Sequence, residues 1–212
     1  MIKLVAFDMD GVLTTCKSSW YFVHKYFETD NSENIRLFNE GKIDYPTFMY
    51  LDVMLWKMKD PYLTREKLAQ IYKRMEITEG AYETVEKLKS MGKKIVIITG
   101  GLDILAEIVS KKLGIDTYIA NGLEVDRNGI ITGRGIVRVD PYKKDVPLKN
   151  LMRELSLDND EVASVGDGEV DIPMFHQSGI SIAFNPLSSE VAKKAKYVVY
   201  SRDLRSILTY LP

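Results

Sequence analysis

Lys3-Leu4-Val5-Ala6-Phe7 runs directly into Asp8-Met9-Asp10-Gly11-Val12. The apolar run has the length and continuity of a strand buried on both faces of a parallel sheet. Asp8 and Asp10 then stand just past its carboxyl end, and Gly11 turns the chain away. Open α/β sheets bind ligands in the crevice outside the carboxyl ends of their strands. Two carboxylates at i and i+2 repel each other, and in a partly dry crevice they need a cation or a shared proton. An isolated Asp-x-Asp is also a common solvated turn, so the remaining chain has to decide between chemistry and connection.

A length of 212 residues, 45% hydrophobic and 28% charged, suits a folded soluble domain with one sizeable core and a smaller insert. The formal net charge of −1 lacks the basic excess of a nucleic-acid binder. No apolar stretch approaches the ~20 residues needed to span a bilayer, and the N-terminus has no signal-like apolar region. Cys16 is the only cysteine, which excludes an internal disulfide. It also lacks a nearby histidine that would make it a nucleophile. These features predict a cytoplasmic protein with no nucleic-acid or membrane partner.

Residues 15–76 interrupt the α/β rhythm and read as helical. Trp20, Val23, His24 and Phe27 recur at helical spacing, as do Leu51, Met54, Leu55 and Met58. Pro46 suits a first helical turn, and Thr64 is a candidate N-cap. This segment is expected to be a helical cap, leaving residues 1–14 and 77–212 as the core domain. Most of its large side chains (Trp20, Tyr21, Phe22, Tyr45, Phe48, Met49, Trp56, Met58) are expected to form the cap's own core, with a few facing a substrate. His24, on the apolar stripe, reads as a packed histidine.

Beyond residue 76 the α/β rhythm returns. A helix around Val85 and Leu88 closes at Gly92, and Lys93–Ile98 is a continuous β-branched run that reads as a central strand. It ends in Thr99-Gly100-Gly101 ahead of a helix from about Leu102 to Gly114. A hydroxyl and glycines between strand and helix form an anion site, because backbone N–H groups can approach a ligand there. Tyr118–Ala120 reads as a short strand, and Asn128-Gly129 as the turn of an inserted β-hairpin. Lys143 and Lys144 precede a helix with Pro147 in its first turn. The buried strand Val162–Val165 ends in Gly166-Asp167-Gly168-Glu169-Val170-Asp171. A helix beginning near Glu169 would turn Asp167 and Asp171 toward one crevice. His176 is expected on the outer part of that helix. Ile180–Phe184 and Tyr197–Val199 complete the strands.

Strand ends, with Lys144 beside a crossover helix, thus carry Asp8/Asp10, Thr99-Gly100 and Asp167/Asp171. Carboxylates from two strand ends make a hard oxygen site suited to Mg²⁺. A hydroxyl, backbone N–H groups and an ammonium make a phosphate cradle. One carboxylate can attack phosphorus, and a second can protonate the leaving alkoxide and then activate water.

This ordered set resembles the haloacid dehalogenase (HAD) superfamily, and most closely its phosphoserine phosphatase-like branch, over essentially the whole chain. The branch shares the helical cap after the first motif, and its fourth motif is similar to Gly166–Phe175. The closing Arg202-Asp203-Leu204-Arg205 is also similar. The resemblance implies a Rossmann-like parallel α/β core with an inserted helical cap and β-hairpin. It implies a Mg²⁺-dependent phosphomonoester hydrolase of a small metabolite, acting through an aspartyl-phosphate. Carried over by residue, Asp8 is the nucleophile and a metal ligand. Asp10 is the general acid/base and binds the metal through its carbonyl. Thr99 and the Gly100 N–H hold the phosphoryl oxygens, and Lys144 neutralises nucleophile and phosphate. Asp167 ligates the metal, and Asp171 supports the metal shell.

Three positions depart from the branch pattern. Val170 replaces an asparagine, Lys17 stands where the branch has a cap glutamate, and Asp52 where it has a cap arginine. If Lys17 and Asp52 line the pocket, the charges that would recognise a phosphoserine are inverted. The two are then expected to pair with each other beneath an apolar cap, favouring a different phosphomonoester. Phosphotransfer to an acceptor alcohol is the alternative reading. A non-catalytic phosphate-binding module would be marked by loss of the nucleophile or the acid, and Asp8 and Asp10 are both present.

Overall fold

The computed structural model describes all 212 residues, Met1–Pro212. The strand β1 (Leu4–Phe7) is followed by four helices, α1 (Ser19–Phe27), α2 (Ser32–Asn39), α3 (Tyr45–Lys59) and α4 (Arg65–Tyr72). Then come α5 (Ala81–Ser90), β2 (Lys94–Leu102), α6 (Asp103–Leu113), β3 (Thr117–Val125), β4 (Ile131–Ile136) and α7 (Asp145–Glu154). The chain ends with β5 (Val162–Gly166), α8 (Ile172–His176), β6 (Ile180–Phe184), α9 (Ser189–Lys194), β7 (Tyr197–Val199) and a 3₁₀ segment, Leu204–Tyr210.

The strands form one sheet in the order β4-β3-β2-β1-β5-β6-β7, with only the β3–β4 pairing antiparallel. β1 lies inside it, with Ala6 opposite Val96 of β2 on one side and Ser164 of β5 on the other. Its side chains alternate between two cores. Val5 and Phe7 join a large apolar cluster that continues through the helices between β1 and α5. Leu4 and Ala6 join a smaller cluster with Leu148 and Met152 of α7 and Met174 of α8. Both faces are therefore covered, which explains why β1 reads as an unbroken apolar run. Because β1, β2 and β5 run parallel, their carboxyl ends share one edge of the sheet.

Local signals set most boundaries. Thr64 caps α4 by accepting from Lys67 N at 3.2 Å, Asp44 caps α3, and Pro46 sits in its first turn. Gly114 ends α6 in the left-handed conformation. Three expectations are corrected. β3 runs unbroken from Thr117 to Val125, so the strand expected at Tyr118–Ala120 is already the first arm of the hairpin with β4. A 3₁₀ turn over Glu169–Asp171 precedes α8, which begins at Ile172 rather than near Glu169. The buried face of α3 is Tyr45, Met49, Asp52, Val53 and Trp56, not the stripe through Leu51 and Met58. That helix is apolar on most sides, so periodicity alone does not choose its inner face. Of the side chains expected mostly in a cap core with a few facing a substrate, Met58 is 77% exposed, and Tyr21, 61% exposed, lines the cleft.

Candidate active site

Asp8 and Asp10 are placed by the turn that ends β1. Asp8 N–H donates to Val165 O of β5, and Gly11 N–H donates to Cys16 O. Gly11 has φ +75°, and a Cβ there would lie 2.1 Å from Asp167 Oδ2. Glycine is thus required twice at this position, by backbone conformation and by the close approach of an acid from another strand.

Lys144 joins the strand ends. It follows a 3₁₀ turn at Pro141–Lys143 and is fully buried. Its ammonium donates to Asp8 Oδ1 and to Asp171 Oδ1, both at 2.7 Å. Asp171 Oδ2 in turn accepts from the N–H groups of Asp167 (2.9 Å) and Gly168 (3.0 Å). Both Asp171 oxygens are therefore engaged, holding Lys144 on one side and the Asp167–Gly168 backbone on the other. Gly166 leaves room for this, since a Cβ there would meet Asp171 at 2.4 Å.

Asp10 Oδ2 accepts from Ser19 N–H (2.8 Å) and Ser19 Oγ (2.6 Å) at the start of α1. Its other oxygen, Oδ1, is buried with no partner. Thr99 is buried, and its Oγ1 accepts from Gly101 N–H at 3.0 Å. Here the β2–β3 register breaks, between Ile98 and Leu102.

Burial dominates the electrostatics. It raises Asp8 well above the usual carboxylate range, reinforced by Asp171 and opposed by Lys144. Burial also raises Asp10, against the hydrogen bonds from Ser19. Asp167 is pushed up to about 6 by burial, in spite of the Lys17 ammonium 2.8 Å from its Oδ2. Burial works against the Lys144 ammonium, but Asp171 and Asp8 outweigh it and hold the proton more tightly than on a free lysine. Four carboxylates thus face two ammoniums, one of them, Lys144, buried and the other, Lys17, half exposed. Oxygens of Asp8, Asp167 and Asp171 lie within 4.8 Å of one another. An excess of hard oxygen donors of this kind suits a divalent cation.

A family model described as haloacid dehalogenase-like hydrolase matches residues 5–176. The chain belongs to this family. A phosphoserine phosphatase of Methanocaldococcus jannaschii is 33% identical over 99% of this chain and 97% of its own length. One from Campylobacter jejuni subsp. doylei is 31% identical over 98% and 99%. Among solved structures, a phosphoserine phosphatase in apo form superposes with TM-score 0.83 at 29% identity, covering 99% of both chains. A phospho-aspartyl intermediate analogue of phosphoserine phosphatase gives 0.82 at 30%, covering 99% of this chain and 98% of that one.

The site of this HAD chain departs from expectation in its upper half. Lys17 lines the cleft, but its ammonium pairs with Asp167 rather than with Asp52. Asp52 does not reach the cleft. It is completely buried on the inner face of α3, accepting from Asn31 Nδ2 and Asn34 Nδ2, each at 2.8 Å. His24 Nε2 stands 3.1 Å from its Oδ2, out of line for a hydrogen bond. A buried carboxylate takes the donors at hand, and two neighbouring asparagines offer them inside the helical layer. Asn31 takes the place at the cleft wall that was expected for Asp52.

Two supporting residues escape motif reading. Ser19 orients Asp10, yet in the sequence it is an ordinary helix-start serine. Asn121 is fully buried, and its Nδ2 lies within hydrogen-bond distance of Tyr45 Oη, Gly100 O and Val139 O, while its Oδ1 accepts from Arg138 N–H and Val139 N–H. It follows directly on the expected strand Tyr118–Ala120, and its only signal in the sequence is a polar residue next to an apolar run. Trp20 Nε1 and Tyr45 Oη also donate to Gly100 O, tying the Thr99–Gly101 segment to the helices above it.

Proposed function

We propose that this protein hydrolyses a phosphomonoester of a small metabolite through an aspartyl-phosphate on Asp8, with Mg²⁺ as cofactor. The observation that carries the reading is the pair of acids after β1. Asp8 is held against Lys144, while Asp10 is clamped on one oxygen by Ser19 and has its other oxygen buried without a partner. Such an acid is poised to hold a proton where a leaving group can take it.

Asp8 attacks phosphorus as the bond to the leaving oxygen breaks, and the Asp10 proton passes to that oxygen. Water then attacks the aspartyl-phosphate, and Asp10 takes a proton from it. The phosphorus–Asp8 bond breaks, releasing phosphate and restoring Asp8. Lys144 neutralises charge on Asp8 and the phosphoryl group. The Thr99 hydroxyl and the Gly100 N–H hold phosphoryl oxygens.

Asp8, Asp167 and the Asp10 carbonyl would hold the metal ion, whose bound charge would stabilise the phosphoryl oxygens. Asp171, with both oxygens engaged, supports that set by positioning Lys144 and the backbone at Asp167. Residues 15–76 act as the cap over residues 1–14 and 77–212. A single free cysteine, Cys16, fits a reducing compartment such as the cytoplasm.

The test is rapid-quench mass spectrometry during turnover of a phosphomonoester with Mg²⁺. A phosphoryl adduct on the Asp8 peptide is expected in wild type and not in Asp8→Asn. Turnover by Asp8→Asn at more than a thousandth of the wild-type rate would overturn the assignment.

A further inference from the structure

The floor of the cleft is charged, but its walls are not. Phe38 stacks on Phe48 at 5.1 Å between centroids and stands 5.7 Å from Tyr45 and 5.8 Å from Tyr142. Trp20 extends this group, 6.5 Å from Phe48. All five rings line one cavity of about 400 Å³ that opens onto Asp8 and Asp10. A space of that size accepts a ligand larger than a three-carbon amino acid phosphate. Around its mouth, Tyr21, Ile35, Tyr142 and Leu187 are 61%, 43%, 55% and 59% exposed.

The carboxylates that line the cavity, Asp8, Asp10 and Asp167, all belong to the floor. Asp52 is sealed inside the helical layer by Asn31 and Asn34, and the Lys17 ammonium is engaged by Asp167. An ammonium carried into this space would lose its hydration and meet no wall carboxylate. An aromatic ring would find ring partners on several sides.

We infer that this cleft selects phosphomonoesters whose leaving group carries an aromatic ring and no ammonium group. The inference rests on the hydrolase reading and adds the class of leaving group. The ring packs among Phe38, Phe48 and Tyr142 while the phosphate reaches Asp8.

The test compares 2-phenylethyl phosphate with phosphoserine, both primary alkyl esters, so that the difference in kcat/KM reports the walls more than the chemistry. A preference of tens-fold to about a hundredfold for the aromatic ester is expected, the effect of burying one ring. Equal or better turnover of phosphoserine would overturn the inference. Recognition is read without turnover by calorimetry with Mg²⁺, using 3-phenylpropylphosphonate and 2-amino-4-phosphonobutyrate. At least tenfold tighter binding of the aromatic phosphonate is expected, and tighter binding of the amino acid analogue would refute it. Tighter aromatic binding with no phosphate release from either ester would uphold the recognition and discard the hydrolase reading. Phe38→Ala should lower the preference about tenfold, and Tyr142→Ala, at an exposed position, makes the same test if the first variant folds poorly. An unchanged preference in a folded variant of either kind would count against the proposal.

Discussion

Asp10 shows how a neighbour assigns a role to a carboxylate. Ser19 occupies one oxygen twice and leaves the other without a partner, as the proposed acid role requires. Asp10→Asn keeps the shape and loses the proton. Cleavage of an alkyl ester should fall by about 10²- to 10⁴-fold, whereas the first phosphoryl transfer from p-nitrophenyl phosphate, whose phenolate leaves unaided, should fall far less. Burst kinetics separate the two steps, and an equal loss for both esters would remove Asp10 as the acid. Asp52 makes the opposite point, because its carboxylate satisfies side chains within the helical layer and does not itself line the cleft. Asp52→Ala leaves Asn31, Asn34 and His24 facing an empty site. It should destabilise the protein by about 3 kcal/mol in a denaturant titration. A loss below roughly 1 kcal/mol would mean that the network contributes little.

At the scale of elements, the register break between β2 and β3 falls on the segment proposed to hold phosphate. Thr99-Gly100-Gly101 stays within the strand, but the pairing slips there, and Gly100 O turns to Trp20, Tyr45 and Asn121. Gly101 has to be small for a reason outside its own strand. A Cβ would sit 2.7 Å from Ser19 Oγ and 2.9 Å from Met9 Cε. Gly101→Ala should therefore push Ser19 away from Asp10, lowering kcat more than it raises KM, at a stability cost of about 1–3 kcal/mol. A variant with wild-type kcat would show that Ser19 need not hold its place. The sequence marked these glycines as a candidate anion site, but this packing constraint was not legible in it. It depends on α1 arriving against β2, and those two elements are separated by some 70 residues of chain.

For the whole molecule, the decisive feature is an excess of buried acid at one edge of the sheet. Asp8, Asp10, Asp167 and Asp171 face Lys144 and Lys17, and burial raises Asp8, Asp10 and Asp167 above the usual carboxylate range. A ligand that binds only the folded state stabilises it by mass action, about 2.7 kcal/mol at a hundred times its Kd. Mg²⁺ should accordingly raise the Tm in a concentration-dependent way, and EDTA should reverse the shift. Asp167→Asn should abolish most of it. A Tm indifferent to Mg²⁺ across millimolar concentrations would contradict the metal assignment. The same large apolar cluster joins Phe7 of the sheet to Met49 and Trp56 of α3, so the helices over the cleft share a core with the strands beneath it.

The sequence alone determined the sheet, the chain order of its motifs and the acids at its edge. These follow from short-range causes: continuous apolar runs, a hydroxyl with glycines, capping residues and an Asn-Gly turn. The strand topology then brings Asp8, Lys144, Asp167 and Asp171 together wherever the chain is parallel. Only the tertiary structure decided the inner face of α3, the burial of Asp52, the pairing of Lys17 with Asp167 and the supporting roles of Ser19 and Asn121. Each of these depends on which neighbour arrives from far along the chain. For a helix that is apolar on most sides, or a polar residue with several possible partners, spacing does not supply that choice. Packing and the need to satisfy every buried polar group make it.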